Sequence, residues 1–524
     1  MIIKHSFNFI LFIILSVGQL SAFNNPVNPG FLPDPSICRV GEDYYLVNSS
    51  FEYFPGVPVF HSKDLINWEQ IGNVLDRPSQ LSLKNAAPSD GIYAPTIRYH
   101  DGIFYMVVTN VNTVTGKSNF YVTATNPTGP WSEPVSVDQS GIDPSLFWDE
   151  DGKVYFLSNR GLTFNTERGI YQSEIDIKTG RRLTEPELIW KGTGGNYPEG
   201  PHMYKKDGFY YLLIAEGGTM YGHMVTISRS KSIWGPYESC PHNPILSNRY
   251  AYEKLYGTGH ADLVQAHDSS WWMVHLAFRL PQILGRETCL AHVEWNAQGW
   301  PVVNKTGTNS LVNNAKTLSL KPFPAKPVRE DFNSNKVGFE WIWLRNPDMK
   351  FYRFSNGFLN LTGSKYSIYD VESPTFIGRR QSHFDFSATT AIDFSPKNEN
   401  EQAGMLIEMS NRFHYQFVIT KKGNQRLLKV IYTLGDLVNT AGVVVLQTGG
   451  VKLRIKGDTK NYTFQYSQNE EPFQTVGTLN TLFLSAEVSG GYNGVVLGLY
   501  ATGNGSESIA TAAYDWFDYE FANK

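Results

Sequence analysis

The chain has 524 residues, a formal net charge of -4 and 18% charged residues. This length exceeds what one hydrophobic core usually organises, so two large domains are expected, and the lack of a basic excess excludes a nucleic-acid-binding field. Aromatic residues make up 14%, with 46 glycines and 28 prolines, a composition typical of an all-β protein, where rings pack on pleated surfaces.

Residues 1–22 have the pattern of a secretory signal peptide. Lys4 gives a positive start, FNFILFIILSV an apolar core and LSA a small-residue cleavage site. The run is short for a membrane span, and no similar run follows it. We therefore expect export to the periplasm or the cell exterior, with no membrane span after cleavage; an uncleaved N-terminal anchor is the alternative.

Three cysteines, Cys38, Cys240 and Cys289, are spread over the chain. This is too few for the disulfide framework that stabilises small exported domains. We predict that all three are free and buried. A Cys240–Cys289 disulfide is the alternative, which nothing else in the sequence supports.

Five stretches of the first half share one pattern. Each has a small or proline-rich start, a short apolar strand, a polar turn and a second strand rich in aromatic or β-branched residues, which predicts a β-hairpin. The turns read GED, HDG, EDG, KDG and HDSS. In each stretch one residue of the first strand precedes an aromatic residue of the second by 11 or 12 positions; the pairs are Asp34–Tyr45, Ala94–Tyr105, Asp143–Tyr155, Glu199–Tyr211 and His260–Trp272.

The aromatic residues of these hairpins recur at intervals of 60, 50, 56 and 61 residues. Repeats of this size predict propeller blades of four strands each, hence a five-bladed β-propeller over residues 23–315. A β-sandwich with long loops is the rival fold. Because the first strand of each blade lines the central channel, Asp34, Asp143, Glu199 and His260 would converge there, at the height of Ala94. Prolines beside the three carboxylates would stiffen the backbone that aims them.

Three carboxylates in one cavity favour acid–base chemistry. Crowded carboxylates raise one another's pKa, so one can stay protonated while another is ionised. Such a pair, on opposite sides of a pocket, suits the cleavage of a glycosidic bond. A calcium-binding ring is the alternative, because carboxylates are also ligands for hard cations.

The hairpin pattern ends before the second half of the chain. Residues 316–327 are proline-rich and predict an extended linker. Residues 328–524 then alternate apolar and polar positions between short turns, which predicts a β-sandwich domain. The predicted strands include GFLNLTG, TTAIDFSP, AGMLIEMS, HYQFVIT, LLKVIYT, TFQYSQ, TLFLSAEV and GVVLGLYAT.

Eight ordered motifs of the chain resemble glycoside hydrolase family 43. They are PGFLPDPSI, SSFEYFPGVPVFHSKDLINWE, GIYAPTIRYHDG, GIDPSLFWDEDG, EGPHMYKKDGFYYLLIAEGGT, GTGHADLV, WWMVHLAF and LGRET, which run in order over about residues 25–303. The resemblance is to the branch of β-xylosidases and α-L-arabinofuranosidases with a C-terminal concanavalin-like β-sandwich, of which FIGRRQSHFDFSATTAIDF is also typical. It implies an inverting glycosidase that needs no organic cofactor.

The resemblance also implies roles for the three carboxylates. Asp34, in PDPS, matches the general base that activates water. Asp143, in GIDPSLF, matches the aspartate that orients the acid and tunes its pKa. Glu199, in PEGPH, matches the general acid that protonates the leaving oxygen.

Two further residues match the family by their motifs. Arg286, in LGRET, matches an arginine that contacts the terminal sugar through the fixed fork of its guanidinium; a surface salt bridge with Glu287 is the alternative. His260, in GTGHAD, matches a central histidine that supports the site or borders a bound calcium ion; an ordinary core histidine is the alternative.

Three aromatic residues are candidates for the walls of the pocket. Phe51, in SSFEYF, matches an aromatic residue beside the terminal sugar. Tyr93 stands where this branch often has tryptophan, which keeps an aromatic platform but leaves the sugar open. Tyr492, in GGYNG, is a candidate for a side chain lent by the second domain. Each of the three could instead serve as core or sheet-edge packing.

The sequence thus predicts an exo-acting enzyme that releases terminal pentoses, first of all β-D-xylose from xylo-oligosaccharides. An α-L-arabinofuranosidase acting on arabinose side chains is the alternative within the same class. A non-catalytic glycan-binding propeller and a calcium-stabilised structural protein are the alternatives from other classes. If a cation is present in an enzyme, we expect it near His260.

Overall fold

The computed structural model describes residues 22–112, 114, 118–160 and 167–521. The predicted signal segment therefore lies outside the described residues except for Ala22. Within these ranges, no helix has the length and apolar character needed to cross a membrane.

The first half consists of short antiparallel strands grouped in fours. Strands β1 to β6 are Ala22–Asn24, Ser36–Val40, Asp43–Val47, Tyr53–Phe54, Gly56–Ser62 and Glu69–Leu75. Strands β7 to β14 are Ile92–His100, Ile103–Asn110, Ser118–Ala124, Val135–Val137, Ile142–Trp148, Val154–Arg160, Gly169–Ile175 and Glu187–Trp190. Strands β15 to β23 are Glu199–Lys206, Phe209–Glu216, Met224–Ser230, Glu238–Ser239, Tyr256–Gln265, Trp271–Phe278, Glu287–Trp295, Pro301–Val303 and Val312–Asn314.

These strands form five four-stranded sheets in a closed ring. The sheets are β2-β3-β5-β6, β7 to β10, β11 to β14, β15 to β18 and β19 to β22. The first strand of each sheet contacts the first strands of the two neighbouring sheets, and β19 returns to β2. The predicted five-bladed propeller is therefore confirmed. The first and last strands of this half, β1 and β23, pair with each other outside the blades.

Each blade has a residue with left-handed backbone at the aligned position, in its inner strand or, in the first blade, two residues before it. These residues are Asp34 (φ 52°), Ala94 (38°), Asp143 (55°), Gly200 (59°) and His260 (45°). Four of them coincide with a shift of the strand register, in β7, β11, β15 and β19. A bulge of this kind re-aims a side chain out of the regular alternation.

The register corrects one position of the hairpin alignment. In every blade, the residue opposite the aligned aromatic lies four positions after the left-handed residue; in the fourth blade Tyr204 faces Tyr211. The equivalent of Asp34 is therefore Gly200, and Glu199 lies one position earlier. The alignment placed Glu199 wrongly because it equated the offset of 12 from Glu199 to Tyr211 with that from Asp143 to Tyr155, although Tyr155 faces the residue eight positions before it and Tyr211 the residue seven positions before it.

The second half is a sandwich of two sheets. Strands β24 to β38 are Arg329–Glu330, Trp341–Leu344, Tyr352–Ser355, Phe358–Thr362, Thr375–Arg380, Phe386–Asp393, Gln402–Ser410, Phe413–Lys422, Gln425–Leu434, Leu437–Leu446, Val451–Gly457, Asn461–Ser467, Gln474–Asn480, Val496–Thr502 and Thr511–Phe521. Two 3-10 helices, Met349–Phe351 and Thr481–Leu484, and one short α-helix, α1 (Ala486–Ser489), complete the described elements. Residues 315–328, before β24, contain neither strand nor helix.

Each sheet of the sandwich has eight strands. One has the order β26-β27-β38-β29-β34-β35-β36, with β24 beside β38, and the other β33-β32-β31-β30-β37-β28-β25-β4. Aromatic residues of the two sheets meet in the core, where the rings of Phe417 and Phe464 are 5.5 Å apart. The second sheet ends on β4, which comes from the propeller, so backbone pairing joins the two halves.

One predicted strand of the sandwich is wrong. TLFLSAEV forms the 3-10 helix Thr481–Leu484 and then α1. The Asn480 side chain caps the first of these by accepting from the Leu482 N–H, and its two buried residues, Thr481 and Leu484, are three positions apart. This spacing suits a helical turn, whereas a strand buries every second residue.

The cysteine prediction is confirmed. Cys38, Cys240 and Cys289 are all free and buried.

Candidate active site

Asp34 lies in the central cavity, and its carboxylate is held from three sides. Its Oδ1 accepts a 2.8 Å hydrogen bond from Nη1 of Arg286, and its Oδ2 accepts one of 2.6 Å from Oγ of Ser49. Nδ1 of His260 is 3.8 Å from Oδ1. Burial alone would raise the pKa of Asp34, but Arg286, His260 and the Ser49 hydrogen bond together hold that pKa below its usual value. Asp34 is therefore ionised at neutral pH.

Asp143 is also buried, and it contacts the backbone of the strand that begins at Glu199. Its Oδ2 accepts a hydrogen bond of 3.2 Å from the Gly200 N–H. Burial is the main reason that the pKa of Asp143 rises to about 6; His260 opposes the rise, and the charge of Asp34 adds to it.

Glu199 has the opposite electrostatic setting to Asp34. Burial raises its pKa well above the usual value, and the nearby charges of Asp143 and Asp34 raise it further. Arg286 only partly opposes these effects. Glu199 therefore keeps its proton at a pH where Asp34 has lost its own.

Gly200 and Glu216 position the strand that begins at Glu199. A Cβ on Gly200 would lie 3.1 Å from the His260 ring, and the φ of Gly200 is 59°, so glycine suits this close approach of ring and backbone. Glu216 is fully buried and accepts hydrogen bonds of 2.8 Å from the N–H groups of Thr193 and Gly195. It thereby fixes the loop that leads into β15. Sequence reasoning missed Glu216, although it lies in the motif EGPHMYKKDGFYYLLIAEGGT.

Arg286 is only 5% exposed and lies between Asp34 and two aromatic rings. Its Cζ is 5.5 Å from the Phe51 ring centre and 5.6 Å from that of Tyr492. The alternative of a surface salt bridge with Glu287 is wrong, because Glu287 is buried and pairs with Arg279 at 2.7 Å.

The three aromatic candidates meet beside Arg286. The Phe51 ring centre is 4.9 Å from that of Tyr93 and 6.4 Å from that of Tyr492. Tyr492 is 42% exposed, whereas Phe51 is 1% exposed and so lies beneath its neighbours. The hydroxyl of Tyr93 donates to the Ser89 carbonyl at 2.6 Å. The second domain therefore does bring Tyr492 to the cavity, and the contact of these rings with a sugar stays a prediction.

The predicted calcium ion near His260 stays a prediction, because few carboxylate oxygens of the described residues lie near that ring. The nearest carboxylate oxygen, Oδ1 of Asp34, already accepts from Arg286, whose positive charge would repel a cation. Across the described residues, no three His, Cys, Asp or Glu side chains form a group that could hold a metal ion. The buried His223 near His260 is a further neighbour that the sequence did not reveal, and burial lowers its pKa to about 3.

A second polar cluster crosses the channel along the inner strands, and sequence reasoning missed it. Asp262 is fully buried and accepts from Nη1 of Arg98 at 2.8 Å, from Oγ of Ser36 at 2.7 Å and from the hydroxyl of Tyr204 at 2.5 Å. The other Arg98 nitrogen, Nη2, bonds Nδ1 of His202 at 2.8 Å. These residues stand two or four positions after the left-handed residue of their blade, so a correctly registered alignment would have placed them together.

Comparison with known families agrees with both halves of the fold. The model of the Glycosyl hydrolases family 43 matches residues 23–301, and that of the Beta xylosidase C-terminal Concanavalin A-like domain matches residues 329–520. The chain belongs to glycosyl hydrolase family 43. It is therefore a glycosidase, and the concanavalin-like type of the predicted sandwich is confirmed.

Several family 43 proteins resemble this chain over nearly its whole length. The non-reducing end alpha-L-arabinofuranosidase BoGH43B of Bacteroides ovatus is 43% identical and covers 96% of both chains. A xylosidase/arabinosidase of Butyrivibrio fibrisolvens is 38% identical, covering 95% of this chain and 99% of its own. The crystal structure of BlXynB from Bacillus licheniformis superposes with a TM-score of 0.90 at 36% identity, covering 96% of this chain and all of its own.

Proposed function

We propose that this family 43 glycosidase acts from the non-reducing end and releases single pentoses with inversion, first of all β-D-xylose from xylo-oligosaccharides. The observation that carries the proposal is the opposite pKa shift of two carboxyl groups in one cavity, Asp34 downward and Glu199 upward. An ionised base and a protonated acid are what a single displacement by water requires.

The proposed reaction uses these side chains without an organic cofactor or a metal ion. Asp34 removes a proton from a water molecule, whose oxygen attacks the anomeric carbon. Glu199 gives its proton to the glycosidic oxygen as that bond breaks. Asp143 keeps the pKa of Glu199 high through its negative charge. Asp34 gains one proton and Glu199 loses one, so the two carboxyl groups exchange protonation states. Proton exchange with bulk water then restores the starting states.

The sugar would be held by the residues around Arg286. Its guanidinium has the fork geometry that suits neighbouring hydroxyl groups. Tyr492 and Tyr93 supply ring faces on which the C–H groups of a pentose can pack, and Phe51 supports them from below. His260 would hold Asp34 in place rather than contact the sugar.

A second candidate is α-L-arabinofuranosidase activity. It is favoured by the 43% identity to a protein named for that activity over 96% of both chains. Tyr93, where tryptophan is common in this branch, leaves the choice of pentose open.

The experiment is to compare pentose release from 4-nitrophenyl β-D-xyloside and 4-nitrophenyl α-L-arabinofuranoside, with Asp34→Ala as the control. Preference for the xyloside that vanishes in Asp34→Ala supports the first proposal, and preference for the arabinofuranoside supports the second. No release from either substrate, together with binding on a glycan array, would instead indicate the glycan-binding propeller.

We also propose that residues 1–22 direct export and are removed. The charged start, apolar core and small-residue cleavage site support this proposal. N-terminal sequencing of the mature protein from the periplasmic and extracellular fractions tests it. A mature chain that still begins at Met1 would contradict it.

A further inference from the structure

One loop of the sandwich, residues 490–494, touches the propeller at two places, beside Gly285 and beside Glu52 and Ser89. We call it the bridging loop. It connects α1 to β37 and carries Tyr492. Its two contacts are made by Tyr492 and Asn493 and by Gly494 and Val495, so together they restrict where the exposed ring stands.

The first contact is between backbones. A Cβ on Gly494 would lie 2.7 Å from the Gly285 nitrogen. The two backbone segments therefore approach too closely for a side chain at Gly494. Directly after the loop, the Val495 N–H donates to the Ile283 carbonyl at 2.8 Å. Gly285 immediately precedes Arg286, so this contact ties the loop to the arginine that holds Asp34.

The second contact is a network of hydrogen bonds centred on Glu52. Its Oε1 accepts from Nδ2 of Asn493 at 2.6 Å, and its Oε2 accepts from the Ser89 N–H at 3.1 Å. Oγ of Ser89 accepts from the Tyr492 N–H at 2.9 Å and donates to Oδ1 of Asn493 at 3.3 Å. Glu52 and Asn493 are 1% and 2% exposed. One buried carboxyl group thus joins a propeller loop and a sandwich loop next to Tyr492.

We propose that Glu52 is a positioning residue that acts through Asn493 and Ser89 to hold Tyr492 beside Arg286. Glu52 contacts none of the three catalytic candidates, so its effect on the pocket passes through the bridging loop. The inference rests on the proposed function for the part that concerns sugar binding, and on geometry alone for the part that concerns the loop.

The physical reason is the cost of leaving a buried polar group unpaired. Removing the Asn493 side chain leaves one oxygen of Glu52 without a hydrogen-bond donor. Because an unpaired buried oxygen is costly, we expect the loop to shift until water reaches that oxygen. Because the Tyr492 N–H bonds the same serine that Glu52 holds, a shift there moves the ring away from Arg286. The Gly285–Gly494 contact would remain, so the loop loosens at one end.

The first test is a double-mutant cycle on the preferred aryl pentoside. We expect Tyr492→Ala and Asn493→Ala each to raise KM by roughly five- to tenfold, the effect of losing one aromatic contact, with a smaller change in kcat. If Asn493 acts through Tyr492, the double variant should show no larger KM than either single variant. The proposal would be overturned if the KM increases of the two single variants multiplied in the double variant, or if KM were unchanged in Asn493→Ala.

The second test does not need activity. Hydrogen exchange resolved to single amides should show faster exchange at Tyr492 in Glu52→Gln and Asn493→Ala. Ser89→Ala, which removes the acceptor directly, should show the same and serves if the buried variants fold poorly. Unchanged exchange at Tyr492 in Ser89→Ala and in any folded variant of Glu52 or Asn493 would refute the proposed positioning of Tyr492 by Glu52.

The matched control is Glu401→Gln. Glu401 is also a fully buried carboxyl group that accepts backbone hydrogen bonds, from Lys397 at 2.5 Å and Ile509 at 2.6 Å, but within the sandwich. It should lower stability without changing exchange at Tyr492 or KM. A wild-type protein that releases no pentose would refute only the proposed function. The hydrogen-exchange result would still test whether Glu52 positions Tyr492.

Discussion

Two carboxyl groups of one cavity are driven to opposite protonation states by their immediate neighbours. Asp34 has a guanidinium at 2.8 Å and a donating hydroxyl at 2.6 Å, both of which stabilise its anion. Glu199 has burial and two acidic neighbours, which favour its neutral form. Local contacts therefore favour an ionised carboxylate at Asp34 and a protonated carboxyl group at Glu199.

The residue-scale prediction concerns Glu199→Gln. On xylo-oligosaccharides we expect kcat to fall by about 10²- to 10⁴-fold, because the leaving oxygen can no longer be protonated. Aryl glycosides with good leaving groups need little protonation and should lose much less. Steady-state kinetics on both substrate types measures the difference.

The pH profile gives this prediction a second readout. Activity requires Glu199 protonated, so in the wild type it should be lost as pH rises through the raised pKa of Glu199, while the acid limb reports the lowered pKa of Asp34. In Glu199→Gln the basic limb should disappear. The surface variant Glu187→Gln is the control, and equal losses on both substrate types would contradict the assignment of the acid.

At the scale of elements, the five blades share one position with left-handed backbone, which is a bulge in four of them. The left-handed backbone there aims a side chain inward in the other blades and brings Gly200 of the fourth blade against His260 of the fifth. The hairpins could be recognised from turns and aromatic residues, which are local signals. The register of one hairpin could not, because turns of different length give similar offsets.

Gly200→Ala tests what this position contributes. L residues are strained by about 1–2 kcal/mol in left-handed backbone, and here the new methyl group would also press on the His260 ring. We expect lower stability and strongly reduced kcat, measured by urea unfolding and pentoside hydrolysis. Gly208→Ala is the matched control, because its φ is 71° and only the Lys231 Nζ lies within 4 Å of a Cβ there. It should lose stability but keep activity; equal activity in both variants would refute the role of Gly200.

The polar cluster of the inner strands predicts a large effect on stability. Arg98→Met would leave Asp262 buried, with its pKa no longer lowered by the guanidinium. Breaking a buried ion pair from one side costs about 3–5 kcal/mol. Urea unfolding should show this loss, whereas Arg39→Met, at an exposed arginine, should change the free energy of unfolding by less than about 0.5 kcal/mol. A loss of that small size in Arg98→Met would show that the pair adds little.

At the scale of the whole molecule, the interface between propeller and sandwich holds two carboxyl groups of raised pKa. Burial is the main cause for both; the pKa of Glu52 rises to about 8, with Glu408 adding to it, and that of Glu408 rises to about 7. Tyr53 donates to Glu408 at 2.7 Å, and Arg345 is the nearby positive charge. Both groups bind protons more tightly in the folded protein than in the unfolded chain.

This interface predicts that stability falls as pH rises. Above about pH 4.5 the unfolded chain releases both protons while the folded protein keeps them, so each group lowers the free energy of unfolding by about 1.4 kcal/mol per pH unit until its folded pKa is passed. Urea unfolding between pH 5 and pH 8 measures the slope. Glu408→Gln should flatten the slope up to about pH 7, with Glu401→Gln as the control; an unchanged slope would contradict the prediction.

The sequence by itself determined most of the elements and singled out the carboxylates of the candidate site, because both depend on local patterns. Turn residues, aromatic spacing and proline-flanked carboxylates identified the blades, and they singled out Asp34, Asp143 and Glu199. The helical turn at Thr481 was missed, since a short apolar run of that kind has no clear period. The ordered motifs added Arg286.

The tertiary structure alone decided what depends on contacts between distant parts of the chain. Asp34 and Arg286 are 252 positions apart, and Glu52 and Asn493 are 441 apart. Local sequence propensity does not encode such pairs. It also does not encode the strand register that places the bulge at Gly200. The opposite pKa shifts, the Arg98–Asp262 pair and the bridging loop arise only when the ring of blades closes and the sandwich docks on it, because each depends on burial and on charges brought together by folding.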